Sequence, residues 1–168
     1  MESTKIHTLC FTGHRPQKLP WGFNEQDERC LLMKEKLKVL IEDAINNGFC
    51  YFWSGMALGF DLICVEVLIE LKRQYNHIKI FGALPCKNQA EIWPLKQQLR
   101  YNKLIAELDD VRCLYDKYVG PDCMLERNRF MIDSSSKLIA LFNGKSGGTK
   151  STIDYAKQKG LQVEILKP

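Results

Sequence analysis

The sequence lacks the cysteine and histidine spacings that disulfide scaffolds and zinc sites require. Its seven cysteines stand singly at positions 10, 30, 50, 64, 86, 113 and 123, and none forms a Cys-x-x-Cys pair. Their number is odd and most lie in apolar segments, which is typical of buried, reduced thiols in a cytosolic protein. The histidines His7, His14 and His77 are far apart in sequence, so we expect no metal site.

The sequence also lacks long apolar runs and dense runs of basic residues, and both absences limit the functions that we expect. No apolar run is long enough to span a bilayer and no leader pattern opens the sequence, so we expect a cytoplasmic protein without a membrane role. The net charge is only +4, from 24 basic and 20 acidic residues, and the basic residues form no dense run. This modest excess suits a small anionic ligand and argues against a nucleic-acid partner.

What the sequence does contain is a regular alternation of short apolar runs and helical periodicity, over a length that suits one domain spanning 1–168. The apolar runs predict strands at 7–12, 49–53, 78–84, 111–115, 137–142 and 161–166. The periodic segments predict helices at 25–47, 60–75, 89–108, 122–135 and 149–159, the third of them interrupted at Pro94. This alternation predicts an α/β three-layer sandwich with a mostly parallel central sheet.

The turn after the first predicted strand, Thr-Gly-His-Arg-Pro at 12–16, carries donors suited to an anion. Gly13 permits a close approach of the backbone, while His14 and Arg15 offer side-chain donors. A tight turn with a surface arginine is the structural alternative. Because ligands of parallel sheets bind beyond the carboxyl ends of the strands, we interpret this turn as part of a ligand site.

A second turn, Ser54–Asp61, joins the second predicted strand to its helix. Its glycines, Gly55 and Gly59, are four residues apart and do not match the G-x-G-x-x-G dinucleotide fingerprint. Asp61 has two interpretations that the sequence leaves open. It either stabilises the first turn of the helix through the helix dipole or faces the ligand and accepts from ribose hydroxyls.

The segment 124–149 predicts an arginine-bearing helix, a buried strand and a glycine turn that opens another helix. Gly147, Gly148 and Thr149 would present backbone N–H groups to an anion at the positive end of the helix dipole. Arg127 could supply a planar donor fork for the same anion. A Walker-type phosphate loop is excluded, because Ile139 stands where that loop needs glycine.

These motifs occur together, and in this order, in a known group of proteins. The chain resembles the YpsA-like branch of the SLOG superfamily, named for the Smf/DprA and Lonely Guy proteins. The match runs from 12–16 through Ser54–Asp61 to Arg127, Asn128, Asn143 and 147–149, which covers nearly the whole chain. The resemblance implies a Rossmann-like fold and binding of nucleotides or nucleotide-derived ligands.

Within that superfamily the Lonely Guy enzymes release a base from a nucleoside monophosphate. Their signature is M-H-x-R-K-x-x-M, then a strand, then P-G-G-x-G-T-x-x-E. Met124, Arg127 and Met131 match the first motif, and Arg127 thereby matches an arginine that serves catalysis in those enzymes. Leu125 stands where the first motif has histidine, and Thr152 stands where the second has its catalytic glutamate.

The missing glutamate matters because N-glycoside cleavage passes through an oxocarbenium-like sugar that a carboxylate normally stabilises. Threonine cannot act as an anionic base at neutral pH. Asp154 would point away from the face of Thr152, whereas Asp61 is a better replacement. Glu126 and Asp133 are readily explained as solvated helix charges.

Three functions remain open from the sequence. We expect first a module or sensor that binds a nucleotide or nucleotide-sugar, and second an N-glycosidase or phosphoribohydrolase-like nucleotide hydrolase that uses Arg127 and Asp61. A single-stranded DNA-handling protein comes third. No cofactor is expected, and a homodimer is expected only by analogy with superfamily dimers. The expected ligand-binding residues are Gly13, His14, Arg15, Ser54, Gly55, Asp61, Arg127, Asn128, Asn143, Gly147, Gly148 and Thr149.

Overall fold

Strands and helices alternate along the computed structural model, which describes residues 2–168. The strands are β1 (Thr8–Gly13), β2 (Tyr51–Ser54), β3 (Lys79–Cys86), β4 (Asp110–Tyr115), β5 (Lys137–Leu141) and β6 (Gln162–Leu166). The helices are α1 (Glu2–Lys5), α2 (Glu28–Asn46), α3 (Phe60–Lys72), α4 (Leu95–Ala106), α5 (Asp122–Asp133) and α6 (Gly148–Gln158). A 3₁₀ turn covers Pro16–Lys18. Every predicted strand and helix is present, whereas α1 and the 3₁₀ turn were not predicted.

All six strands pair in parallel, in the order β4-β3-β2-β1-β5-β6. From β1 the chain proceeds through β2 and β3 to β4 at one edge, and then crosses to β5 and β6 on the other side of β1. The direction of winding therefore reverses between β1 and β5, where Gly13 lies opposite Leu141. Such a reversal opens a crevice beyond the carboxyl ends of the strands, which is where ligands of these sheets bind.

Helices cover both faces of the sheet, so the predicted three-layer sandwich is confirmed. One apolar core contains residues of α2, α3 and α4, including Leu37, Ile41 and Leu68. A second core on the other face contains residues of α5 and α6, including Met131 and Ile153. The handedness rule explains this division, because the connections that lead toward β4 and those that lead toward β6 place their helices on opposite faces.

Two prolines shift element boundaries from their predicted positions. Strand β3 continues through Pro85 to Cys86, although we predicted that it ends at 84. Its pairing with β2 ends at Gly82, so Pro85 lies where β3 has a neighbour on one side only. Helix α4 begins only at Leu95, directly after Pro94, and the predicted first turns at 89–94 are not helical.

Two surface and core properties complete the fold. Within residues 2–168, no helix has both the length and the apolarity needed to cross a membrane. The seven cysteines are all free, five of them buried and two half-buried. Burial raises the pKa of the Cys10 thiol to about 12, so this thiol stays protonated at neutral pH.

Candidate functional site

A cavity of about 250 Å³ lies beyond β1, between the first turns of α3 and α6 and one side of α5; we call it the switch-point cavity. Eight of the twelve expected site residues line it: Gly13, His14, Arg15, Asp61, Arg127, Asn128, Gly148 and Thr149. The other four, Ser54, Gly55, Asn143 and Gly147, lie outside this lining. Residues that the site prediction omitted also line it, namely Thr12, Gln17, Lys18, Ala57 and Met124.

Arg127 enters this cavity from α5 and is buried. Its Nη1 donates to the backbone carbonyl of Gly55, while Nε donates to Asn128 Oδ1 at 2.8 Å. Among residues 2–168, Nη2 has only a long contact, 4.0 Å, to the sulfur of Met124. Most of the guanidinium donors that we expected to face an anion therefore bind other residues of the protein, and Nη2 remains for a ligand. Burial lowers the pKa of Arg127, an effect that the nearby charge of Asp61 opposes.

Asp61 is the carboxylate of the cavity and is also buried. Its Oδ2 accepts from the backbone N–H of Ala57 at 3.3 Å, and within the described chain Oδ1 accepts from no protein donor. Burial raises the pKa of Asp61, while the charge of Arg127 and the Ala57 N–H act in the opposite direction. Asp61 therefore holds the turn before α3 through the Ala57 N–H and also lines the cavity, and its role toward a ligand stays a prediction.

Gly55 explains how Arg127 and Asp61 come so close. A Cβ at Gly55 would lie 2.7 Å from Nη1 of Arg127 and 2.8 Å from Oδ2 of Asp61. Ser54 fixes the same turn, because its buried hydroxyl donates to the carbonyl of Asp61 at 3.0 Å and accepts from the N–H of Met56 at 3.2 Å. Ser54 and Gly55 thus support the turn beside the cavity and are not part of its lining.

His14 connects the turn after β1 to the turn after β5. Its Nε2 accepts from the backbone N–H of Asn143 at 3.1 Å, so the ring proton lies on Nδ1. Nδ1 lies 3.3 Å from Oγ1 of Thr149 and donates to it in this tautomer. The hydroxyl proton of Thr149 then remains available to the cavity. Asn143 therefore contributes through its backbone, by fixing the orientation of His14.

Acid is expected to destabilise the protein through His14. Burial lowers the pKa of His14 below its ordinary value of 6.5. Below that pH the unfolded chain takes up a proton that the folded chain refuses, so the stabilisation present at higher pH is lost as the pH falls. The thermal midpoint of wild type should therefore fall more steeply between pH 7 and pH 5 than that of His14→Gln, whose amide can accept from Asn143 and does not titrate. Parallel curves for the two proteins would contradict this assignment.

Positive charge predominates around the cavity. Arg15, Lys18 and Arg127 line it, and none of them pairs with a carboxylate among residues 2–168. The first turn of α6, at Gly148 and Thr149, adds backbone N–H groups without intrahelical acceptors. Against these donors stands one carboxylate, Asp61. The balance favours an anion that also offers a hydroxyl to Asp61.

Thr152, at the position of the missing glutamate, forms hydrogen bonds that support the structure. Thr152 is buried, accepts from the side-chain amide of Asn128 at 3.1 Å, and donates to the carbonyl of Gly148 at 2.9 Å. Asn128 in turn accepts from Arg127, so this chain of bonds joins α5 to the start of α6. Asp154 is exposed and pairs with Lys150, as expected for a residue that faces away from the site.

Sequence reasoning missed Gln89, because the segment was predicted as the start of a helix. Its buried amide donates to the carbonyls of Gly55 and Met56, each at 3.3 Å, and its Oε1 lies 3.3 Å from Nη1 of Arg127. Met56 is the sole non-glycine residue with positive φ in the described chain, at 57°. No local pattern marks either residue, since both matter only through contacts with distant segments.

A wider groove, of about 1040 Å³, lies elsewhere, between α3 and α4. Several of its charged groups are already paired with one another. Arg100 donates to both carboxylate oxygens of Glu25 and also contacts Glu66. Lys72 pairs with Asp109. We therefore place the candidate site at the switch-point cavity, where the cations have no such partners.

Known proteins resemble this chain along most of its length. The profile of the YspA SLOG family (YpsA) matches residues 9–166. The SPbeta prophage-derived protein YoqJ of Bacillus subtilis is 32% identical over 149 residues, which cover 82% of this chain and 87% of YoqJ. A UPF0398 protein of Bacillus thuringiensis is 28% identical over 162 residues, covering 92% of this chain and 85% of that protein. The chain belongs to the YpsA-type SLOG family.

Solved structures show the same fold. DNA processing protein A of Helicobacter pylori, which binds single-stranded DNA, superposes with a TM-score of 0.65 at 22% identity. The protein of the same name from Streptococcus pneumoniae gives 0.63 at 14% identity. This chain is covered to 97% and 96%, but it spans only 66% and 50% of those two chains.

Proposed function

We propose that this YpsA-type SLOG domain binds a nucleotide or nucleotide-derived ligand in the switch-point cavity. One observation supports the proposal above others: within residues 2–168, Arg127 is buried with no direct salt bridge, Asp61 being only a nearby charge, and its Nη2 has no close acceptor. A buried guanidinium without a direct ion pair is costly, and a bound anion would offset that cost. A phosphate would accept from Nη2 of Arg127, from the hydroxyl of Thr149 and from the first turn of α6.

The remaining groups suit the sugar of such a ligand. Asp61 Oδ1 could accept from a ribose hydroxyl, while Arg15 and Lys18 at the exposed rim could reach a further phosphate or the base. The volume of about 250 Å³ is below the usual 300–1,000 Å³ of pockets for drug-sized ligands. We therefore expect the cavity to enclose a phosphoribosyl portion and to leave the rest of the ligand outside.

Thermal unfolding of the purified protein against nucleoside mono-, di- and triphosphates, NAD and ADP-ribose tests the proposal. A ligand at a hundred times its dissociation constant adds about 2.7 kcal/mol, and each kcal/mol raises the midpoint by roughly 2–4 °C in a domain of this size. We expect a rise of about 5–10 °C for at least one phosphorylated compound and none for the matching nucleoside. Unchanged midpoints across the panel at millimolar concentration would refute nucleotide binding.

A hydrolase is the second candidate, and the buried carboxyl group of Asp61 in the cavity favours it, because burial raises the pKa of Asp61 and a raised pKa suits a general acid. Asp61→Asn separates the two functions. An enzyme should lose base or ribose-phosphate release by at least about a hundredfold while it still binds the phosphate, since a general acid–base contributes 10²–10⁴-fold. Absence of any product with wild type, or full activity of the variant, would exclude this mechanism.

Single-stranded DNA is the third candidate, because DNA processing protein A shares the fold. The low net charge and the small cavity argue against it. Retention of labelled oligonucleotides that falls as salt is added would support DNA binding, whereas no retention at low salt would dismiss it.

A further inference from the structure

An apolar surface on α2 and β6 is separate from the switch-point cavity. Leu32 and Val39 are 51% and 64% exposed, and Ile165 of β6 is 44% exposed. Together with Glu35 and Lys36 they line a shallow groove, and we call these five residues the α2 face. Within residues 2–168, β6 is an edge strand of the sheet and pairs with β5 alone, so its other edge is open beside this face.

The charges on the α2 face are arranged in a specific way. Val39 lies seven positions after Leu32, so the two side chains lie almost on one line along the helix. Along the helix axis, Glu35 and Lys36 lie between Leu32 and Val39, one on each side of that line. Neither is paired in the described chain, whereas the neighbouring Lys34 and Lys38 pair with Glu25 and Glu70.

We propose that the α2 face joins two copies of this chain about a two-fold axis parallel to α2. In that arrangement each Leu32 and each Val39 meets its own equivalent, and Glu35 of each copy lies beside Lys36 of the other on both flanks. An antiparallel pair would instead bring Glu35 against Glu35 and Lys36 against Lys36. Flanking charges set partner choice and orientation in this way in paired helices, and the contact is isologous and closed.

Charge reversal tests this arrangement with the full chain. Sedimentation equilibrium should give twice the chain mass of 19.5 kDa for wild type. Glu35→Lys and Lys36→Glu should each weaken dimerisation by about tenfold, because each replaces two attractive contacts with two repulsive ones. The double variant Glu35→Lys/Lys36→Glu should recover the wild-type constant. A monomer at all concentrations, or single variants as tight as wild type, would overturn the proposal.

A second comparison locates the interface on the protein. Val39→Lys places a charge where the two copies of Val39 would meet and should give a monomer. Ile92→Lys places the same charge on a different exposed apolar position, 92% exposed near the start of α4, and should leave the dimer intact. The reverse result would assign dimerisation to the other surface. Both side chains are exposed, so circular dichroism should show unchanged folding in each variant.

Discussion

Replacement of Arg127 by methionine is expected to lower the free energy of unfolding by about 3 kcal/mol and to abolish stabilisation by phosphorylated ligands. The guanidinium donates to Gly55, Asn128 and Gln89, and all three acceptors would lose that partner. Asp61 would lose the nearby positive charge that opposes the rise of its pKa on burial. Breaking a buried charged network by removing one member commonly costs 3–5 kcal/mol.

Arg129 provides a matched control on the same helix. It is exposed, and its guanidinium lies over the ring of Tyr155 at 5.5 Å. Arg129→Met should change the free energy of unfolding by no more than about 1 kcal/mol and leave ligand stabilisation intact. Urea unfolding with and without nucleotide measures both effects. Equal behaviour of the two variants would mean that Arg127 neither organises the site nor contacts the ligand.

The fold could be predicted from the sequence because its signals are local. Apolar runs bounded by glycine or proline, and leucines at helical spacing in segments such as 28–46, identify elements without knowledge of their partners. Alternation then leaves few topologies once right-handed crossovers are required. The boundary at Pro85 was wrong for a non-local reason, because whether a strand tolerates proline depends on which neighbours it has there.

The sequence predicted which turns come together around the cavity, but it did not predict how their side chains are oriented. The turns after β1 and β2 and the start of α6 could be placed together, since carboxyl ends of parallel strands meet at one edge of a sheet. The direction in which a side chain turns could not be predicted. Two guanidinium nitrogens of Arg127 donate hydrogen bonds to other residues of the protein. Ser54 and Gly55 lie behind this side chain. These side-chain orientations and hydrogen bonds depend on contacts with residues far away in the chain, as Gln89 illustrates.

Gly13 is another residue whose role depends on a contact that the sequence did not predict. Its replacement is the second change for which we expect a large effect. The sequence suggested that this glycine lets a ligand approach the backbone. In the structure a Cβ at Gly13 would overlap the side chain of Phe60, at 2.6 Å from its Cγ and 2.7 Å from its Cβ. Phe60 is fully buried at the start of α3, one residue before Asp61, and packs edge-on against Phe11. Glycine is therefore required here for the packing of α3 against β1.

Gly13→Ala is expected to destabilise the protein by about 3 kcal/mol, at the upper end for overpacking, because Phe60 is held by the core and cannot move aside freely. It should also weaken ligand binding, since a displaced α3 carries Asp61 with it. Gly148→Ala is the control on the same cavity: a Cβ there meets nothing within 4 Å, and alanine favours the helix. Thermal unfolding should therefore separate the two variants by roughly 6 °C or more. If Gly13→Ala unfolds at the wild-type midpoint, α3 can shift on the sheet at little cost, and the cavity is a deformable site whose shape the ligand sets.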